Sequence, residues 1–288
     1  MKNYSFTKMN GAGNDFIVFD KDVYDSLELT PDAIRNLCNR KLGIGGDGVI
    51  FVYKSNSADF EMEYYNADGS LGSLCGNGSR CAIQFAHLTK KIPGTKAKFK
   101  VNDAFYSGEV LADGVVKFDL NPPVKFKYNF KIKAAKQLIN ANFVDTGSPH
   151  VVINIQDVLR EPSDPYSNYT DIKEFPVFDI GKEIRYSPDF APVGTNVNFI
   201  QVIDGKVIIR TYERGVEDET LACGTGSTAA ALISFTNYGI NPPVHLVTYS
   251  GEELVVDYKV ENQKVKELSL TGPAKVNFTG EVRIPNKL

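Results

Sequence analysis

The stretches SLCGNGSRCAI (73–83) and LACGTGSTAAA (221–231) read as two versions of one local design. Each sets a cysteine, Cys75 or Cys223, directly before a Gly-x-Gly turn and a run of helix-forming residues. After the first turn, Ala82, Phe85 and Ala86 recur at helical spacing; after the second, STAAALISFTNYG (227–239) is small or apolar almost all round. A helix apolar on every side has to be buried. Most other segments read as short strands, so the arrangement that buries such a helix is a curled sheet wrapped around it.

Outward from the cysteines the chain repeats itself in order. GNDFIV (13–18) lies on GSPHVVI (147–153), GIGGDGVIFV (43–52) on VGTNVNFIQV (193–202), and YYNADGSLGSLCGNGS (64–79) on TYERGVEDETLACGTGS (211–227) with one extra residue. These blocks predict an α+β chain of two homologous, pseudo-symmetric domains, each a curled, mostly antiparallel sheet or barrel around a central helix. The boundary falls in NPPVKFKYNFK (121–131): residues 1–122 form a domain with Cys75, and 123–270 one with Cys223. TGPAKVNFTGEVRIPNKL (271–288) is strand-like and returns to complete the first. Asp113-Gly114 and Asp204-Gly205 are two-residue hairpin signals. TPDAIRNLCNRKLG (30–43) reads as a helix with Thr30 as N-cap, Pro31 in its first turn, an apolar stripe of Ile34, Leu37 and Cys38, and Gly43 as its stop. The stripe makes Cys38 a packing residue. Residues 160–176 read as a surface excursion within the second domain.

With 288 residues, a formal charge of −3 and a pI near 5.7, the chain is long enough for two cores and has no basic stripe for a nucleic-acid partner. A polar, strand-like opening and the lack of any apolar run of spanning length predict a cytoplasmic protein with no membrane partner. Four cysteines in a chain of this size are too few for a disulfide framework, so reduced thiols are expected. No zinc-type pairing, Walker motif or dinucleotide fingerprint is present, so neither metal nor organic cofactor is expected; GIGGDG (43–48) departs from GxGxxG and reads as a turn or ligand-approach loop.

A helix that starts at a glycine turn aims its first-turn amides and the positive end of its dipole at whatever lies in front, a setting suited to a carboxylate. A cysteine there can have its pKa lowered from about 8.5 to roughly 3.5–7.5. Duplication adds what an inversion of stereochemistry needs. With the halves packed face to face, one carboxylate would sit between two sets of amides, with a sulfur on either side of its α-carbon. A thiolate then removes the α-proton from one face and a thiol delivers one from the other. Each amide aimed at the developing negative charge contributes roughly 3–4 kcal/mol to lowering the barrier.

At these residues the pairing of NADGSLGSLCGNGSRC (66–81) with YERGVEDETLACGTGS (212–227) resembles the diaminopimelate epimerases, cofactor-independent enzymes of bacterial lysine and cell-wall (peptidoglycan) precursor synthesis. KMNGAGNDFIV (8–18), GIGGDG, TGSPHVV (146–152), GTNVNFI (194–200) and TGPA (271–274) follow in the family's order, so the likeness spans almost the whole chain. The resemblance implies that Cys75 and Cys223 are the acid/base pair interconverting LL- and meso-diaminopimelate. It implies that the turn amides of Gly76, Asn77, Gly224 and Thr225 hold the reacting carboxylate. Asn66, Asn196, Glu213 and Arg214 would hold the distal amino-carboxylate end, with Asn14 a further substrate contact, and His150 and Glu213 would adjust the protonation of the thiols. It also implies a homodimer.

Residue chemistry agrees, since Arg214 can clamp a carboxylate in bidentate fashion and Glu213 can pair with an ammonium. Two positions depart from the pattern: Ser148 stands where some members carry asparagine, and Gly48 where others carry glutamine, so those side-chain contacts are not carried over. Cys81 has Ala229 as its counterpart and reads as packing. A proline or hydroxyproline racemase-type enzyme would share the paired cysteines but leave Glu213 and Arg214 with no distal charged end to hold. A non-catalytic amino-acid-binding or redox-sensing protein would instead join Cys75 and Cys223 in a reversible disulfide.

Overall fold

A computed structural model describes residues 2–24, 27–72 and 74–284; Ser73 of the first cysteine stretch and residues 285–288 of the returning segment lie outside them. The chain divides into two compact units, Met1–Asp119 with Thr271–Leu288, and Leu120–Leu270.

In the first unit, β1 (Lys2–Gly11) pairs antiparallel with β2 (Asn14–Asp20) and, on its other side, with the C-terminal strand β17 (Lys275–Ile284). β2 runs parallel to β3 (Gly48–Tyr53), β3 antiparallel to β4 (Phe60–Asn66), and β4 parallel to β5 (Lys96–Val101). β6 (Ala104–Ala112) and β7 (Val115–Asp119) continue antiparallel through the Asp113-Gly114 turn, where Gly114 has φ 70°. Helix α1 (Pro31–Cys38) covers the outside of β3, with Ile34, Leu37 and Cys38 set among Phe19, Val49 and Phe51. Helix α2 (Gly76–Leu88) packs against β1, β2, β3, β4, β6 and β7, so the sheet curls around it, and every residue from Gly76 to Ala86 is buried.

The second unit repeats the plan. β8 (Lys125–Ala134), β9 (Gln137–Asp145) and β10 (Pro149–Asn154) pair antiparallel, β10 runs parallel to β11 (Asn196–Ile203), and β11 antiparallel to β12 (Lys206–Glu213). β12 then takes β13 (Asp218–Thr220) antiparallel and β14 (Val244–Val247) parallel, and β14 takes β15 (Glu253–Glu261) antiparallel. β16 (Lys264–Pro273) leads the chain out of the unit. Helix α3 (Val177–Arg185) packs on β8, β11 and β12; α4 (Gly224–Tyr238) packs against β9, β10, β11, β12, β14 and β15. The excursion at 160–176 is mostly exposed but anchors Ile172 and Phe175 in this unit's core. The fold is therefore α+β and internally repeated, with the same antiparallel, parallel, antiparallel, parallel, antiparallel order around each central helix.

The registers correct the sequence alignment in one block. Ile17 pairs with Val49 and Val49 with Tyr65, while Val151 pairs with Val197 and Val197 with Tyr212. Val49 thus corresponds to Val197, not to Phe199 two residues later, and Gly48 to Asn196. Side chains in a strand alternate with period two, so a slip of two keeps every residue on its face and leaves the apolar pattern unchanged.

Helix ends differ from expectation as well. α1 stops at Cys38, well before Gly43, because the Asn39 carboxamide oxygen accepts the N–H groups of Lys41 and Leu42, both at 2.9 Å, and draws the chain into a turn. α2 and α4 begin immediately after their cysteines, so the Gly-x-Gly residues form the first helical turn instead of preceding it.

Phe99 is fully buried, its ring stacked 5.0 Å from that of Phe60 and tilted against that of Phe118 at 6.0 Å. Phe99→Ala should cost about 3–5 kcal/mol of stability in urea unfolding. A loss below about 1 kcal/mol would mean that the curl collapses to fill the space.

Candidate active site

Cys75 is the N-cap of α2, with φ −114° and ψ 115°. Its sulfur accepts the Gly78 N–H at 3.4 Å, and its own thiol donates to Asn14 Oδ1 at 3.8 Å. Asn77 Nδ2 donates to the same oxygen at 3.5 Å. Asn14 is held in that orientation from its other end, where Nδ2 donates to Asp47 Oδ2 at 2.5 Å. Asp47 also accepts the Asp15 N–H, and Arg40 bridges the Asp15 and Asp47 carboxylates at 2.7 Å each. Burial works to raise the Asp15 carboxyl, but Arg40 and Lys8, the latter 2.7 Å away, outweigh it and hold it at about 2. Burial, and then the charge of Asp15, push Asp47 upward. GIGGDG is therefore more than a turn: its Asp47 orients the residue that faces Cys75.

Cys223 caps α4 with nearly the same backbone, φ −121° and ψ 114°. Around its sulfur the chemistry differs. Thr225 Oγ1 lies 3.6 Å from Cys223 Sγ and 3.0 Å from His150 Nε2, and Ser148 Oγ lies 2.9 Å from the same nitrogen. The other ring nitrogen, Nδ1, receives Asn198 Nδ2 at 3.1 Å. Asn198 cannot face the other way, because Nδ2 also donates to Val151 O at 2.9 Å and Oδ1 accepts the Thr211 hydroxyl at 3.0 Å. Nδ1 is thus an acceptor, and the imidazole proton sits on Nε2, aimed at the hydroxyls of Ser148 and Thr225. Burial, reinforced by the charge of Arg214, pulls His150 down to about 3, so the ring is neutral. Gly226 has to be glycine here, since a Cβ would lie 2.3 Å from Asn198 Oδ1.

Glu213 and Arg214 follow each other at the end of β12. Glu213 Oε2 accepts the Thr220 hydroxyl at 2.8 Å. Arg214 is half-buried; its Nη1 reaches Val193 O at 3.5 Å, and among the described residues no carboxylate forms an ion pair with it. Asn196 is already engaged: Nδ2 donates to Pro149 O at 3.0 Å and Oδ1 accepts the Arg214 N–H at 2.9 Å, so it fixes the backbone that carries Arg214. Asn66 sits in a turn and donates to Ser70 Oγ at 3.0 Å. Gly48 has no room for a side chain, a Cβ there meeting Tyr65 O at 2.4 Å.

The described geometry thus gathers Asn14 and Asn77 at Cys75, His150 and Thr225 at Cys223, and Asn196, Glu213 and Arg214 at the end of β12, while Asn66 is held by Ser70. Sequence reasoning missed Asp47 and Asn198, both of which lie in blocks that had been aligned and whose side chains hold Asn14 and His150 in place. Among the described residues, no cluster of three His, Cys, Asp or Glu side chains is placed to hold a metal.

The chain is 40% identical over 279 residues to the diaminopimelate epimerase of Chlorobaculum tepidum, covering 96% of this chain and 100% of the relative. It is 37% identical to that of Aquifex aeolicus, covering 96% and 97%. Among solved structures, a phenazine biosynthesis protein of the PhzF family from Bacillus anthracis superposes with a TM-score of 0.70 at 15% identity, covering 99% of this chain and 100% of that one. A hydroxyproline epimerase from Agrobacterium vitis superposes at 0.68 and 14%, covering 98% and 91%; at such identities the likeness shows the shared fold alone. The sequence model of the family described as diaminopimelate epimerase matches residues 6–122 and 142–277, and with relatives this similar over nearly their whole length the chain belongs to the diaminopimelate epimerase family.

Proposed function

We propose that the chain is a cofactor-independent epimerase that interconverts LL- and meso-diaminopimelate, in the synthesis of lysine and peptidoglycan precursors. The observation that carries this reading is the repeated helix start, in which Cys75 and Cys223 cap α2 and α4 with the same extended backbone. The α-carboxylate is bound by the first-turn amides of Gly76, Asn77, Gly224 and Thr225. A thiolate takes the α-proton; the C–H electron pair moves into the carboxylate, where amide donors and helix dipoles meet the new charge. The electron pair returns to carbon as the second thiol delivers a proton from the opposite face. Residues 1–122 with 271–288, and residues 123–270, act as two domains that contribute one thiol each.

At the distal end, the guanidinium of Arg214 takes the second carboxylate and Glu213 the second ammonium, with Asn14, Asn66 and Asn196 supplying neutral contacts. The absence of an ion-pair partner for Arg214 among the described residues supports this role, because a half-buried cation gains most from an incoming anion. His150 is a neutral donor through Nε2–H and adjusts Cys223 by way of the Thr225 hydroxyl. The protein works as a homodimer in the cytoplasm. Among the described residues no helix is long and apolar enough to cross a membrane.

In deuterated water the wild type should place deuterium at the α-carbon of diaminopimelate and none in proline. Cys75→Ala and Cys223→Ala should each lower epimerisation at least about 100-fold while keeping the fold. Epimerase activity in the double alanine variant would rule out the two-thiol reaction. Arg214→Gln should lower kcat/KM by about 1.5–3 kcal/mol, the worth of a hydrogen bond to a charged group; an unchanged value would remove Arg214 from the distal clamp.

His150 has its pKa lowered on folding, so the unfolded chain binds more protons in the window below the ordinary imidazole value. The stability this ring contributes is complete above about pH 6.5 and is lost as pH falls. Between pH 7 and pH 5 the wild type should lose about 2 kcal/mol more than His150→Gln in urea unfolding. Equal losses would show that the ring protonates within the folded protein.

A further inference from the structure

Arg80 lies in the first turns of α2 and is fully buried, the largest side chain to be so among the described residues. Its guanidinium donates to Asn77 Oδ1 at 2.9 Å, to Gly76 O at 3.4 Å and, through Nε, to Pro273 O at 3.4 Å. All three acceptors are neutral, and among the described residues no carboxylate pairs with it. A buried cation without an anion is costly to keep.

The nearest charged network offers no surplus. On β1, β2 and the loop before β3, the cations Lys8 and Arg40 are matched by the carboxylates Asp15 and Asp47. Among the described residues, the thiols of Cys81 and Cys75 act electrostatically on Arg80. Burial pushes the Cys81 thiol up to about 12, which removes it as an anion. Cys75 remains. Arg80 itself is lowered by burial only to about 10, so it is a cation at neutral pH.

The second unit supplies the control. Thr228 occupies the position of Arg80, five residues after the cysteine, and its hydroxyl donates to Gly224 O at 3.0 Å, the counterpart of the Gly76 carbonyl that Arg80 meets. Tying down that carbonyl therefore needs no charge. On the side of Cys223, Thr225 leads to the neutral imidazole of His150, on which the charge of Arg214 also acts.

We propose that Arg80 is a positioning residue acting through Cys75: its buried guanidinium, with no carboxylate paired to it among the described residues, holds Cys75 as the resting thiolate while Cys223, with Thr228 in the corresponding place, rests as the thiol. At the Cys75 sulfur the Gly78 N–H works with Arg80, and Asn14 Oδ1, which accepts from the thiol, works against it. The consequence for turnover rests on the two-thiol reaction proposed above: the resting protein is set for the stereoisomer whose α-hydrogen faces Cys75.

Alkylation by iodoacetamide tests this without substrate. The thiolate sulfur forms a bond to the methylene carbon as iodide leaves, so the rate at each cysteine follows its thiolate fraction. With rates read per cysteine by peptide mass spectrometry on the folded protein, the pH midpoint should lie about one unit or more lower for Cys75 than for Cys223. Arg80→Met should move the Cys75 midpoint up by about one unit, slowing its alkylation about tenfold below that midpoint, and leave Cys223 in place, while Arg80→Lys should keep most of the wild-type midpoint. A wild-type midpoint for Cys75 at or above that of Cys223 overturns the proposal whether or not the variants fold. So does a folded Arg80→Met protein with an unshifted Cys75. Because no turnover is read, failure here is distinct from failure of the two-thiol reaction, which the alanine variants report.

Discussion

The backbone amides at the start of α2 and α4 are what each unit is arranged around. A helix leaves its first N–H groups without intrahelical acceptors, and in these units the first turn is largely buried, as is most of the helix that follows. Polar groups removed from water need partners. In α2 the cap sulfur takes the Gly78 N–H, and a substrate carboxylate is the further acceptor that such a turn suits. The same demand explains the glycines. At Gly226 the side chain of Asn198 comes so close that a Cβ has no place, so the residue that orients His150 and the turn proposed to receive the carboxylate constrain each other.

On this common backbone the two cysteines have unlike surroundings. Cys75 is set among Asn14, Asn77 and Arg80 with a balanced cluster of two carboxylates and two cations behind Asn14; Cys223 is set beside a hydroxyl and a neutral imidazole. An inversion by two thiols has to begin with one ionised and one protonated. Identical surroundings would give both the same proton affinity and leave the distribution to their mutual repulsion. Unequal surroundings would set it beforehand, and the repeated fold allows this because the backbone geometry depends on the glycines and the cap, while the charge depends on side chains one turn further on.

Much of this was legible in the sequence, for reasons that also mark where legibility stopped. The cysteine caps, the central helices and the Asp-Gly hairpins depend on local backbone chemistry, and a short window of residues states it. The slip of Val49 onto Phe199 was invisible because period-two alternation is the same before and after a shift of two; only the ladders to Tyr65 and Tyr212 fix it. The stop of α1 at Asn39 was masked by a more familiar signal, Gly43, a few residues on. Asp47 and Asn198 escaped notice because each acts through another side chain, Asn14 or His150, reached across a strand pair and not along the chain. Asn196, expected as a substrate contact, is in the first place a brace for the Arg214 backbone.

Corrected in this way, the alignment exposes a second asymmetry that bears on substrate choice. Gly48 and Asn196 occupy equivalent places, as do Asn66 and Glu213. In the first unit, contact with Tyr64 and Tyr65 forbids a side chain at Gly48, and no cation follows Asn66. In the second, Asn196 fills that place and holds the strand end from which Glu213 and Arg214 extend. The fold itself does not select a substrate, since enzymes of one architecture serve different ones. The clamp proposed for one copy only would select, because it calls for a molecule with one stereocentre to invert and one charged end to hold. A small cyclic imino acid would leave the half-buried guanidinium of Arg214 without an anion, and the cost of that unmet charge falls on binding.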